Sequence, residues 1–412
     1  MSLKINLKSI LRDNSINYTL KNTSLAIVGK TIIFIFGFLL MKAFSHFTSK
    51  ETIGLYNYVI AVLTIISITT LPGTTSALVR AISNGKEGSF LHMTNARLRG
   101  GIFAFILSFC IGIFYIIKGN NTIGYVFFVG ALCTPFIDTL SEMAFAYWQG
   151  KKNFKKSIYL SIIYQILFTI PSILVLIFIK KTILLISLIF LFQALSGFLI
   201  YKTISTENKE RDIESENFSL HLTIVNGLHT IGMTIDRIII WHLFGSISLA
   251  IYTFAIIPIT KLEQLIPIEF LSLPHLSNQI KITNNKKDIN EKTLLLFIIL
   301  IPFILFGWFI APLFYKIIFP NFPESIHLFR ILLLLPLCAF FSLPKTALIA
   351  WKQQEKLYYL EFFSILIKIP TLIFFGLKFG MTGIAEGLVI SRIIEGIMIV
   401  YLFNKVKIKN EN

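Results

Sequence analysis

The chain has 412 residues, 55% of them apolar and only 14% charged, with a mean hydropathy of +0.76. An ordinary soluble protein carries about 25% charge, so this is a polytopic membrane protein. A net charge of +17 would suit a nucleic-acid binder, but the Lys and Arg residues sit mostly between apolar runs, and no nucleic-acid partner is expected.

In chain order, apolar runs of about 20 residues predict spans near 24–47, 53–78, 101–117, 123–148, 158–179 and 182–201. A second set follows near 219–244, 247–271, 293–319, 325–350, 358–377 and 382–403. The polar break "KTISTENKERDIESENF" at 202–218 divides these twelve helices six and six. It gives an N-terminal lobe over 1–204, a cytoplasmic linker over 205–217 and a C-terminal lobe over 218–412. With the N-terminus inside, the inner segments hold 24 Lys and Arg and the outer loops 6. Both termini are therefore expected in the cytoplasm. The basic N-terminal segment leads into a full-length first span without a small-residue cleavage site, so no cleavable signal is expected.

Cys110, Cys133 and Cys338 lie in apolar runs and read as small hydrophobes. The seven His are scattered without ligand spacing, so no metal is expected. "SLAIVGKT" at 24–31 ends like a phosphate-binding loop, but that motif needs Gly where Ser24 stands and a strand before it. The tripeptide falls inside the first span, which argues against nucleotide binding.

The two halves look alike. "GLYNYVIAV" at 54–62 matches "LAIYTFAII" at 249–257 with Tyr56 on Tyr252, an offset of 196. "AYWQGKKNFKKSIYLSIIYQILFTIP" ends at Pro171 and "ALIAWKQQEKLYYLEFFSILIKIP" at Pro370, an offset of 199. Two similar offsets point to duplication, with parallel repeats about an axis along the membrane normal. Prolines interrupt many spans, among them Pro72, Pro135, Pro171, Pro258 and Pro336, and favour kinks.

Eight basic residues fall inside spans. Lys42, Arg330 and Lys345 lie within a turn or two of a span end and can snorkel. Lys30, Arg237, Lys261, Lys368 and Arg392 are deeper. A charge at mid-span costs roughly 2.5 to 3.5 kcal/mol on insertion scales, so these should face a wet cavity or a partner. Eight acids balance them: Asp138, Glu142, Asp236, Glu263, Glu269, Glu361, Glu386 and Glu395. Arg392 and Glu395, three apart, can pair on one face. Asp138 and Glu142, four apart, are like charges that should take up a proton or a sodium ion, or else each pair with a Lys of a neighbouring helix. Asp236 and Arg237 are adjacent and point to different azimuths, so one should meet another helix while the other turns to the cavity.

"KETIGLYNYVIAV", "GTTSALVRAIS", "DRIII", "SLAIYTFAIIPI" and the last span "GMTGIAEGLVISRIIEGIMIVYLF" resemble the Wzx-type O-antigen flippases of the multidrug/oligosaccharidyl-lipid/polysaccharide (MOP) exporter superfamily. The resemblance covers nearly the whole chain. It implies an all-α fold of twelve transmembrane helices in two pseudo-symmetric six-helix lobes around a central cavity. It also implies translocation of an undecaprenyl-diphosphate-linked oligosaccharide across the bacterial inner membrane, by alternating access and with no catalytic residue. The implied partners are that lipid-linked glycan, membrane lipids and other polysaccharide assembly proteins; no cofactor is implied beyond coupling to H+ or Na+. A diphosphate crossing hydrocarbon needs fixed cations in place of its water, with Arg offering bidentate donors and Lys a point charge. This is the role expected of Lys30, Arg237, Lys261, Lys368 and Arg392, while Tyr147, Trp148, Gln165, Gln193 and Trp241 could meet sugars. A multidrug cation antiporter of the same superfamily should instead favour deep acids. A polysaccharide polymerase or ligase would carry a long outer loop, and every predicted outer loop here is short.

Overall fold

The computed structural model of the chain describes residues 14–137, 139–265, 282–351 and 353–406. Asp138 and Glu269, with the predicted end of the eighth span, lie outside the described residues. No strand occurs among the described residues, as expected of a chain whose backbone groups must be satisfied within hydrocarbon.

Helix α1 runs Asn14–Phe47 and holds the Gly29-Lys30-Thr31 tripeptide in its interior. Ser49 caps α2, Lys50–Ile66, by accepting from the Thr52 amide at 3.3 Å. A 3₁₀ turn over Ser67–Thr70 and Leu71, whose φ of 58° is left-handed, break the path before α3, Gly73–Ser83. Pro72 lacks the amide that would continue the helix. Gly73 lets the backbone pass close to Ser219, where a β-carbon would stand 2.3 Å from the carbonyl oxygen.

Helices α4 (Ser89–Ile117), α5 (Asn121–Cys133), α6 (Thr139–Gly150), α7 (Phe154–Phe178) and α8 (Thr182–Tyr201) follow. Asp212 caps α9, Ile213–Leu265, by accepting from the Ser215 amide at 3.0 Å. The rest are α10 (Ile282–Ile318), α11 (Ser325–Leu332), a 3₁₀ turn over Leu335–Phe341, α12 (Ser342–Ala350) and α13 (Gln354–Asn404).

Eight of the described helices are long and apolar enough to cross a bilayer. Two of those, α9 and α13, are 53 and 51 residues long and turn at Gly245 (φ 81°) and Gly380 (φ 66°). Each of them is long enough to cross twice. The bent pair α11 with α12 makes a ninth candidate span and α5 is a shorter apolar helix, an arrangement compatible with the twelve spans expected from the sequence. The internal duplication is visible in matching breaks: α6 ends at Gly150 and α7 opens at Phe154, while α12 ends at Ala350 and α13 opens at Gln354.

The chain packs as two units, Met1–Ala43 with Thr69–Thr223, and Phe44–Ile68 with Ile224–Asn412. In the first, Leu78, Phe90, Met143 and Tyr147 form a buried cluster that ties α3, α4 and α6 together. In the second, Phe254 stacks on Phe322 and the Tyr315 hydroxyl donates to the Phe254 carbonyl at 2.8 Å. The second unit also seats α2, because Tyr58 stacks on Trp241 with ring centres 4.4 Å apart. Gly54 allows this approach, since a β-carbon there would be 1.9 Å from the Ser246 carbonyl oxygen.

Candidate functional site

Ionisable side chains gather inside the second unit from α9, α12 and both arms of α13. Asp236 is 2% exposed and accepts a hydrogen bond from the Tyr252 hydroxyl across the turn at Gly245. Its other oxygen, Oδ1, has no hydrogen-bond partner among the described residues. Lys368 is also buried, and its ammonium donates to the Gly232 carbonyl. It lies within electrostatic range of Asp236, Arg392, Glu395 and Arg237. Arg237 is half-buried, its Nε has no partner among the described residues, and it feels the charge of Lys261.

Two pairs in this unit neutralise themselves. Arg392 Nη1 meets Glu395 Oε2 at 3.2 Å, as the three-residue spacing predicts, and Nη2 contacts the Met233 sulfur at 3.0 Å. Lys345 Nζ meets Glu361 Oε1 at 2.7 Å, and His229 Nδ1 stands 3.4 Å from Glu361 Oε2. Lys345 is therefore a paired interior cation rather than a snorkelling one. Arg330 fits the end-of-span expectation better, with its guanidinium 4.2 Å from the Trp308 ring centre. The second unit thus brings Arg237, Lys261, Lys368 and Arg392 into one electrostatic neighbourhood with Asp236 and Glu395.

The first unit holds the other candidates. Lys30 is exposed on α1. Glu142 does not stand as a lone acid: Arg97 Nη1 reaches its Oε2 at 2.9 Å and the Thr75 hydroxyl at 2.8 Å. Arg97 is 3% exposed, whereas the sequence places it in an inner loop. The reason is that α4 begins at Ser89, well before the apolar run that starts near 101. Tyr147 is buried and donates to Glu87 at 2.8 Å, so it braces a loop instead of facing a sugar. Gln165 is held by Thr169 at 2.8 Å, and Lys156 covers the Trp148 ring.

A polar clasp in the same unit gave no sequence signal. Glu87, 4% exposed, accepts from the Glu207 amide at 2.8 Å and pairs with Lys151. Burial alone would raise its carboxyl, but the Glu207 amide, Lys151 and Tyr147 outweigh it and hold it below the usual carboxylate range. Beside it Arg80 pairs with Glu214 at 2.9 Å and Lys86 with Glu210, and the Gly88 amide donates to the Glu210 carbonyl at 2.8 Å. The segment between α8 and α9 is thereby tied down onto the ends of α3, α4 and α6.

Residues 19–267 match the family model described as polysaccharide biosynthesis protein. No curated protein matches the sequence. Among solved structures, the lipid II flippase MurJ in an inward closed conformation superposes with a TM-score of 0.72 at 15% identity, covering 92% of this chain and 87% of that one. A multidrug resistance MATE family transporter of the MOP superfamily, inward-facing, gives 0.63 at 13% identity over 92% and 96%. A MOP superfamily transporter from Pyrococcus furiosus, described as having a binding pocket of reverse polarity that suggests a different function, gives 0.60 at 13% identity over 93% and 95%. At these identities the likeness establishes the fold alone, which is shared with these transporters.

Proposed function

Because the chain belongs to the polysaccharide biosynthesis protein family, we propose that it is a flippase for an undecaprenyl-diphosphate-linked oligosaccharide, an O-antigen or related repeat unit. In this reading it works in the bacterial inner membrane with both termini cytoplasmic. The lobes 1–204 and 218–412 alternate access, and the glycan passes from the cytoplasmic to the periplasmic leaflet while the polyprenyl tail stays in lipid.

The observation that carries the reading is the gathering of interior cations in the second unit. Among the described residues, with Lys345 paired to Glu361 and Arg392 to Glu395, Arg237, Lys261 and Lys368 share one electrostatic neighbourhood with Asp236. A drug-cation antiporter gains nothing from such a cluster, whereas a diphosphate requires it. Arg237 supplies the bidentate donors, Lys261 and Lys368 add point charge, Arg392 contributes what Glu395 leaves, and Lys30 serves from the first lobe. Coupling to a proton or sodium gradient through Asp138 and Glu142 belongs to the same reading, and a bound cation then has to displace Arg97 from Glu142. Gradient dependence unchanged in both Asp138→Asn and Glu142→Gln would remove that part.

The test of the whole is surface polysaccharide display by cells carrying Arg237→Ala, with membrane abundance measured alongside. Loss of display at normal abundance, with partial activity in Arg237→Lys, supports the site. Normal display at normal abundance overturns it.

A further inference from the structure

The first unit contains a cavity of about 360 Å³, within the size range of small-molecule sites, lined by Thr69, Leu71, His92, Asn95, Arg99 and Phe103 among others. It forms where the second span is broken. Leu71 turns left-handed there, and Gly100 lets α4 lie against the break, since a β-carbon would stand 2.1 Å from the Thr69 carbonyl oxygen.

The α4 wall is one helical stripe. Residues 92, 95, 96, 99 and 103 recur at three- and four-residue steps, and the same stripe continues through exposed Ile106, Leu107 and Cys110. It is polar at one end and apolar at the other. From Gly100 to Ile117 the helix carries no charge, a length of about 27 Å at 1.5 Å per residue, close to the thickness of bilayer hydrocarbon. Arg99 is accordingly placed at the headgroup boundary, with Phe103 already in the acyl region.

The charge at that boundary has no counter-ion among the described residues. Arg80, Arg97 and Arg211 each hold a carboxylate, and His92 Nδ1 is 3.1 Å from Glu216. Arg99 makes no ion pair among the described residues. A guanidinium fork beside an amide, over a cavity that leads along an exposed apolar stripe, is complementary to an anionic headgroup with a hydrocarbon tail.

We propose that this cavity, with Arg99 and Asn95 as donors, is a docking site for the diphosphate headgroup of the polyprenyl-linked substrate at the leaflet edge, separate from the charged interior of the second unit. The proposal rests on the flippase reading for the identity of the lipid. Docking here selects a polyprenyl diphosphate from the membrane before translocation.

The test is photo-crosslinking in nanodiscs, using full-length protein and farnesyl diphosphate with a diazirine in its chain, followed by peptide mapping. Labelling is expected on α4 between residues 99 and 117. It should fall about tenfold in Arg99→Gln, the worth of one charge-assisted contact, and less in Arg99→Lys. Arg237→Ala should leave this label unchanged. Excess unlabelled farnesyl diphosphate should displace it, while phosphatidylglycerol at the same concentration should not. Equal labelling in Arg99→Gln, or equal displacement by phosphatidylglycerol, overturns the proposal, the latter by making the cavity a seat for bulk phospholipid. Label confined to α9 and α13 overturns the cavity and spares the flippase reading; label on none of the three helices overturns both.

Discussion

Tyr252→Phe isolates the structural half of the adjacent acid and base at 236 and 237. The Tyr252 hydroxyl makes the hydrogen bond on one Asp236 oxygen, the other oxygen has no partner among the described residues, and the residue is 2% exposed. Removing the hydroxyl leaves a buried carboxylate without a direct donor, at about 1.5 to 3 kcal/mol for a bond to a charged group. In a cooperative unit of this size, that lowers the melting midpoint by roughly 3 to 12 °C. Asp236→Asn removes the charge that makes the bond strong, so Tyr252→Phe should cost much less in that background, with a coupling of about 1 to 2 kcal/mol. Melting of the detergent-purified single and double variants, followed by intrinsic fluorescence, measures the cycle. Equal losses from Tyr252→Phe in both backgrounds would refute the argument, because the hydroxyl would then be acting through packing alone.

Glu87 predicts a pH dependence. Its folded carboxyl lies below its unfolded value near 4.3, so the clasp is at full strength above about pH 5 and weakens as pH falls through the lowered value; amide exchange of residues 205–212, corrected for intrinsic rate, should accelerate over that descent, and Glu87→Gln should abolish the step. Gly245→Ala and Gly380→Ala meet no atom within 4 Å yet force a side chain into a glycine-only backbone region. Each should cost about 1 to 3 kcal/mol in thermal stability, whereas Gly232→Ala, helical and 3.7 Å from its nearest neighbour, should melt like the parent. Glu142→Gln should lower membrane abundance by stranding Arg97, at about 1 to 3 kcal/mol because Glu142 is 44% exposed, and Arg97→Leu added to it should restore abundance.

What was legible in the sequence is what repeats locally. A span imposes its apolar run on some twenty consecutive residues, so the crossings could be read one by one, and Arg392 found Glu395 because three residues of helix bring them to one face. Boundaries set by polar contacts were not legible. Arg97 reads as a loop cation because the hydrophobic run starts after it, yet α4 begins eight residues before it and carries it into the interior. The breaks near Pro72 and Pro135 follow from the missing amide, while the left-handed turn at Leu71 follows from nothing in its own residue type. The Glu87 clasp joins residues some 120 positions apart through a backbone amide, and no side-chain pattern records an amide.

The adjacency of Asp236 and Arg237 shows the same limit from the other side. Helical geometry separates neighbouring side chains by about 100°, so the two could not share a partner, but it left open which one turned inward. The choice was made by Tyr252, sixteen residues on and beyond a turn at Gly245 that ends any periodic signal. Its hydroxyl takes the acid, and Lys368, from α13, supplies the nearby positive charge while bonding to the Gly232 carbonyl. Arg237 is then left half-buried, with an Nε that has no partner among the described residues. The acid is thus buried and held through one oxygen by its own fold, while the base beside it is only half-buried.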